Sequence, residues 1–482
     1  MGPGATLTDG LARFVVELSR ESIPDVVFED ATRRVVDAVG VGISAIDSPY
    51  AVAVAGVAAE YAGGPEATTL GFGQRMPAAL AAMVNASLIH GHDFDDMHSR
   101  AMVHISCITV PPALALAERL GSSGADCLAA IVAGAEVGLH LGAAAPHRFI
   151  LRGWHGTSVC GTFAAAAVAS NLLRLDASQT ANALGLAASQ SAGIMQGLHD
   201  GSWVKRMHPG WAVQSGMMAA ALAVRGFTGP REALEGSAGL YSVFLRGDED
   251  SVDLSAILAG LGTHWMLPGT SYKKYPTGAW TQAAMDGVSR LLDEAGLTFA
   301  AVERVECAVP AAALPVVCEP RGEKLHPRTA YQAKFSLPFC VAARAVLGHN
   351  GVDDYNEELV TNPDILSLAE RVHCGADAAL DPTGFPVRVE VITRNGRSLR
   401  AGPLMQPGSP ENPMTDAEHT TKFLTGVEPR LGATRAAELL DWLRQMNDAI
   451  DMAQLRRLVS AGRKVTGITD VATSDINERR SM

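Results

Sequence analysis

What most constrains the fold is a set of segments made of small apolar residues at helical spacing. Ala78–Leu88 and Val110–Leu120 carry almost no polar side chains, and Ala125–Leu141, Thr162–Leu173 and Ala212–Arg225 continue the same texture. Apolar residues recurring every three to four positions mark helices, and a helix without a polar face belongs inside a protein. Alanine and glycine let such helices approach closely, so the pattern predicts a dense helical core. At 482 residues the chain exceeds one ordinary core, which predicts two or three domains. The runs are shorter than, or too weak for, the roughly 20 strongly apolar residues of a membrane span. No signal-peptide pattern occupies Met1–Gly10, so the expectation is a cytoplasmic protein with no membrane partner.

In chain order, helical spacing runs through Leu7–Leu18, Pro24–Ile46, Ala51–Tyr61 and Pro77–His90, with a short β-like piece at Ala67–Gly71. Helices follow at Val110–Arg119, Ala125–Leu141, Gly161–Arg174, Ser178–Ala187 and Ala212–Arg225. The texture changes near Pro268. Val302–Val309 and Val387–Thr393 alternate and are β-branched, so they read as strands. Helices are expected at Ala279–Ala295 and Phe335–Leu347, and loop and helix at Asn350–Pro382. After the Pro/Gly-rich Pro403–Pro413, helices resume at Asp416–Phe423 and Arg435–Met446, and Ala472–Met482 reads as frayed. The expected class is mainly α, with an inserted smaller α+β domain at 268–407 between helical parts 1–267 and 408–482.

A net charge of −12 with no long basic run argues against a nucleic-acid partner. Seven scattered cysteines without a CxxC pair predict reduced, buried thiols. Against this background His90–Ser106, HGHDFDDMHSRAMVHIS, stands out. Four histidines and three aspartates interrupt two apolar helices, which is costly unless those groups are solvated, paired or used. Three readings compete: a metal site, a solvated turn, or one wall of an active site. His-x-His beside carboxylates is a common ligand set. The HxHxDH pattern of binuclear zinc hydrolases, however, needs Asp at 94 and His at 95, where this chain has Phe94 and Asp95.

Three more segments concentrate basic groups. Arg152–Thr157 places His155 between glycines ahead of an apolar helix, a setting that suits an anion. Trp203–Gly210 carries Lys205 and His208 on one possible face, and Tyr272–Pro276 carries Lys273 and Lys274 where the texture changes.

The order HxxDFDD…H, GWHGTSVCGTFAAA, KRMHPGWAVQSGMMAA, YKKYP, AKFSLPFCVA, ENPMTDAEHTTKF resembles the MmgE/PrpD family over about residues 10 to 460. The resemblance implies a large all-helical domain built from both chain ends, an inserted α+β lid, a homodimer, and no metal or other cofactor. It implies a lyase acting on a small polycarboxylate, foremost dehydration of a 2-methylcitrate-like hydroxy acid. Decarboxylation of cis-aconitate to itaconate and isomerisation or epimerisation of a diacid are the alternatives, with a non-catalytic ligand-binding member as another class.

Carried over by position, the resemblance points to His104, His155, Lys205, Lys273 and Asp93 as catalytic. His104 and His155 would move protons, the two lysines would anchor carboxylates, and Asp93 would orient a neighbour. His208, Met97, Lys274 and Gln282 are expected to bind substrate, with His90, His92 and His98 in packing or supporting roles. Met97 stands where decarboxylase relatives carry a small hydroxyl residue, and Gln282 where a histidine is frequent. Arg100, Arg206 and Arg328 are further candidates for carboxylate contacts.

Overall fold

A computed structural model describes residues 5–61, 63–381 and 385–461; Met1–Gly4 and Ala472–Met482 lie outside the described residues. Helix accounts for 58% and strand for 9%, so the chain is mainly helical. The helices of the first half have the expected places, and three of them begin a full turn or more earlier than expected. Ser106–Leu120 starts ahead of Pro111–Pro112, Gly156–Leu172 ahead of Gly161, and Val204–Val224 includes Pro209 in its second turn. Each of these starts lies beside a basic residue of interest: His104, His155 and Lys205 stand within two positions of a helix N-terminus.

One apolar core runs from Leu11 to Leu267 and is joined by Phe423–Val459. The Val204–Val224 helix packs on Gly156–Leu172 and on Ala78–Gly91. Its glycines explain the closeness of that packing. A Cβ at Gly210 would come within 2.6 Å of the Met83 carbonyl, and one at Gly216 within 2.4 Å of the Thr162 carbonyl. Small residues therefore draw the Lys205 end of one helix against the His90 end of another. Gly124–Ala143 is the one described helix that alone is long and apolar enough to cross a membrane, and 89% of its apolar window is buried within the fold.

A second core gathers around a four-stranded sheet with the strand order Val372–Ala376, Val302–Val309, Val387–Thr393, Ser398–Leu404. Val302–Val309 runs parallel to Val372–Ala376 and antiparallel to Val387–Thr393, with Val305 opposite Val372 and Val391. Helices Ala279–Glu294 and Leu337–Leu347 pack on this sheet and on each other. The two central strands lie where their alternation predicts. The two edge strands correct the sequence reading, which gave loop and helix at Asn350–Pro382 and nothing at Ser398–Leu404. HCGA and LRAGPL are mostly exposed, so neither carries a core-facing stripe to read. Met97 and Met102, from the first half of the chain, pack into this second core.

Candidate active site

The loop after Ala78–Gly91 turns sharply at Asp93, a non-glycine residue in the left-handed region with φ of 55°. That turn buries the carboxylate between two ammonium groups. Asp93 Oδ1 accepts from Lys205 Nζ at 2.6 Å, and Oδ2 accepts from Lys273 Nζ at 2.8 Å. Lys273 also donates to the Asp93 carbonyl at 2.8 Å. Burial alone would raise the Asp93 pKa; the fields of Lys205 and Lys273 outweigh it and hold the carboxyl well below its ordinary range. Burial likewise opposes the charge on Lys205, and Asp93 more than restores it, so the ammonium is kept. One carboxylate thus pins two lysines from distant parts of the chain.

A second carboxylate serves the imidazoles. Asp95 Oδ2 lies 2.9 Å from His90 Nδ1, and Asp95 Oδ1 lies 3.3 Å from His104 Nδ1, an ion-pair distance without hydrogen-bond alignment. His90 Nε2 lies 2.9 Å from Lys205 Nζ. Since the carboxylate only accepts and the ammonium only donates, His90 is neutral with its proton on Nδ1. Burial, against the pull of Asp95, lowers the His90 pKa to about 3, in agreement with that assignment. His155 Nδ1 stands 3.1 Å from His208 Nδ1, so one of these two atoms donates and the other accepts. Burial first, then Lys205, lowers both: His208 to about 4 and His155 well below the usual imidazole range. The ring centroids of His104 and His155 are 6.4 Å apart, and His90 closes a triangle with them at 4.6 and 5.4 Å.

Asp93, His104, His155, Lys205 and Lys273 line a cavity of about 60 Å³ whose remaining lining includes Met97, Met102, Trp154, Trp280, Phe335 and Phe385. Asp93, His104, His155 and Lys205 come from the first half of the chain, and Lys273, Trp280, Phe335 and Phe385 from beyond residue 268. The arrangement offers fixed ammonium groups, a neutral imidazole at His155 with His104 nearby, and apolar walls that strengthen every charge interaction inside.

Not every residue of interest reaches the cavity. Lys274 faces another cavity and pairs with Asp286 and Glu418, both at 3.2 Å. Gln282 is spent on backbone, accepting from Lys274 and Tyr275 N–H and donating to the Tyr275 and Thr277 carbonyls. His208 does not line the cavity and meets it only through His155. Of the expected substrate-binding residues, Met97 alone is on the wall, and its backbone exchanges hydrogen bonds with Ser271. His92 and His98 engage nearby backbone, at the Ser44 carbonyl and the Ala101 N–H. Arg206 stacks between Tyr50 and Tyr331, Arg100 is exposed, and Arg328 borders a different cavity. Reasoning from sequence passed over Asp95 and the direct contact of His90 with Lys205.

The metal reading can be tested on the same geometry. His90, Asp93 and His104 offer three ligand atoms within 4.8 Å of one another. Both His90 nitrogens are already used, by Asp95 and by Lys205, and the Lys205 ammonium stands within 2.9 Å of both His90 and Asp93. The lysine holds the position a cation would need, so this donor set fits an ammonium group and not an added ion.

Residues 9–253 match the MmgE/PrpD N-terminal domain and residues 275–447 the MmgE/PrpD C-terminal domain; the chain belongs to this family. Its relatives include the cis-aconitate decarboxylase-like protein oryM of Aspergillus oryzae, 25% identical over 474 residues that cover 95% of this chain and 98% of the relative. The cis-aconitate decarboxylase of Aspergillus terreus is 24% identical, covering 94% and 96%, and that of Mus musculus 24% identical, covering 94% and 93%. Family membership supports a lyase-type activity.

Proposed function

We propose that this chain is a cofactor-independent lyase acting on a small polycarboxylate, and that its reaction is decarboxylation of a cis-aconitate-like unsaturated acid. The observation that carries the reading is Asp93 bridging Lys205 and Lys273 beside the neutral imidazoles of His90 and His155. Lys205 and Lys273 share the one carboxylate of Asp93, while Asp95 is turned to the imidazoles, so an arriving carboxylate can share the two ammonium groups. Its charge also raises the basicity of His155, so a proton can be carried there where none is held at rest.

In such a reaction the C–C bond to one carboxylate breaks and carbon dioxide leaves. The electron pair shifts the neighbouring double bond, and the far carbon takes a proton. Lys205 and Lys273 would hold the remaining carboxylates while the pair is displaced, and His104 or His155 would deliver the proton. The names of the relatives favour decarboxylation. Dehydration of a 2-methylcitrate-like hydroxy acid is the second reading, favoured by the apolar Met97 on the cavity wall. The same proposal treats 268–407 as a lid over 1–267 and 408–482, in a cytoplasmic homodimer whose mass light scattering would report.

Proton NMR in deuterated water, with cis-aconitate, citrate and 2-methylcitrate in turn, tests the proposal. A new vinyl pair from cis-aconitate supports decarboxylation, and vinyl signals from either hydroxy acid support dehydration. No change with any of the three, for wild type as for His104→Ala, would overturn the polycarboxylate reading.

A further inference from the structure

Three successive backbone carbonyls around the strained turn each accept from a buried lysine. Lys334 Nζ donates to the His92 carbonyl at 2.9 Å, Lys273 Nζ to Asp93 at 2.8 Å, and Lys422 Nζ to Phe94 at 3.0 Å. The three lysines come from separate segments: the approach to Ala279–Glu294, the approach to Leu337–Leu347, and the Asp416–Leu431 helix. Lys334 and Lys422 line no part of the catalytic cavity.

We infer that Lys334 and Lys422 are positioning residues, which with Lys273 clamp the left-handed turn and so aim the Asp93 carboxylate between Lys205 and Lys273. Residues other than glycine are uncommon in the left-handed region; Asp enters it more readily than most, and contacts on its neighbours fix it there. Hydrogen bonds on both flanking carbonyls supply that hold, because rotation about the Asp93 backbone would swing one or both away from its donor.

The cost of placing these ammonium groups argues for use. Lys422 has Asp37 at 2.7 Å and the Phe94 ring at 4.0 Å. Lys334 has no carboxylate within ion-pair distance among the described residues; the Tyr355 ring stands at 5.1 Å, and Asp93 favours its charge from farther off. Its burial, with Arg206 nearby, lowers its pKa to about 7. A charge so poorly compensated is a poor stabilising device. Its hydrogen bond to His92, next to Asp93, is what it accomplishes. The inference rests on Asp93 being central to the active site, but the clamp can be read without any substrate.

Two variants test it: Lys334→Met, and the double change Asp37→Asn with Lys422→Met. The double change removes the ion pair whole, so no buried Asp37 is left unpaired. Crystal structures are expected to show Asp93 leaving the left-handed region, or its contact with Lys205 opening beyond ion-pair distance. Retention of φ near 55° and of both Asp93 ion pairs in both variants would overturn the clamp, whatever the enzyme's substrate. With a substrate that wild type turns over, kcat should fall about a hundredfold with KM little changed, since a displacement near 1 Å has that effect. The same substitutions in an Asp93→Asn background should cost no further activity. An equal loss there would reduce Lys334 and Lys422 to general structural residues.

Discussion

His90 and Asp95 are joined by a single bond, Nδ1 to Oδ2 at 2.9 Å, that decides what the far side of the ring presents to Lys205. With the proton on Nδ1, Nε2 offers a lone pair to the ammonium at 2.9 Å, and His90 becomes a strut with no capacity left for proton transfer. Asp95→Asn disturbs this without changing size. The amide can donate to Nδ1, which drives the proton to Nε2, where it would oppose Lys205. Activity is expected to fall roughly a hundredfold or more, as wrong-tautomer variants do in other enzymes, measured as kcat/KM. A loss of less than about threefold would show that the His90 tautomer does not matter.

The His155–His208 pair leads to a prediction with a direction in pH. Its two Nδ1 atoms, 3.1 Å apart, share one proton, and His208 adds to the burial that lowers His155. His208→Ala removes a ring that competes for the shared proton and admits water to relieve the burial of His155, so the His155 pKa rises. In the dehydration reading His155 takes a proton as a base, so activity is lost as pH falls through its pKa, and the acid limb of the pH–rate profile moves to higher pH. The expected loss in kcat is about tenfold to a hundredfold. An unmoved acid limb would assign that limb to another group.

How much of this was readable from the chain depended on whether a signal was local. Asp93, His104, His155, Lys205 and Lys273 stand in segments with unusual polarity for their apolar surroundings, and one cavity gathers all five. Asp95 lay in the same stretch but had no mark to separate it from Asp93 and Asp96; its partners are set by the turn at Asp93, which periodicity does not encode. Asp96 goes elsewhere, to Arg34 and Ser106. Lys274 shows the reverse. It is adjacent to Lys273 and alike in type, but the chain bends at Lys274, which points instead to Asp286 and Glu418. Lys334 and Lys422 were invisible as a pair, because nothing in their own segments shows that both approach residues 92–94.

Burial of neutral imidazoles sets the acid stability. His98, His208 and His419 are each lowered to about 4 by burial, opposed or aided by nearby charges, and His90 to about 3. In the unfolded chain each titrates near 6.5. Between pH 6.5 and about 4 the unfolded state therefore binds more protons than the folded state, and stability falls as pH falls. Each histidine contributes a slope of at most about 1.4 kcal/mol per pH unit in that window. Urea denaturation at pH 7.5, 6 and 5 should show the midpoint dropping steadily. A midpoint unchanged down to pH 5 would mean that these rings take up protons in the folded state.

Met97 is the residue through which substrate choice can be tested with least disturbance. Its backbone N–H and carbonyl both bond to Ser271, so the chain path at this point does not depend on the side chain. The side chain lines the cavity and packs with the second core, where it meets the walls that carry Trp280 and Phe385. Met97→Thr removes buried apolar volume and adds a hydroxyl facing the cavity. Stability should drop by about 1–3 kcal/mol from the space left in the core, seen as a lower Tm. The new hydroxyl should shift the ratio of kcat/KM between cis-aconitate and 2-methylcitrate by about tenfold or more, because a polar contact in a water-poor site discriminates strongly between substrates that can and cannot meet it. A lower Tm with an unchanged ratio would make Met97 a packing residue only, and substrate choice would then lie with the aromatic wall.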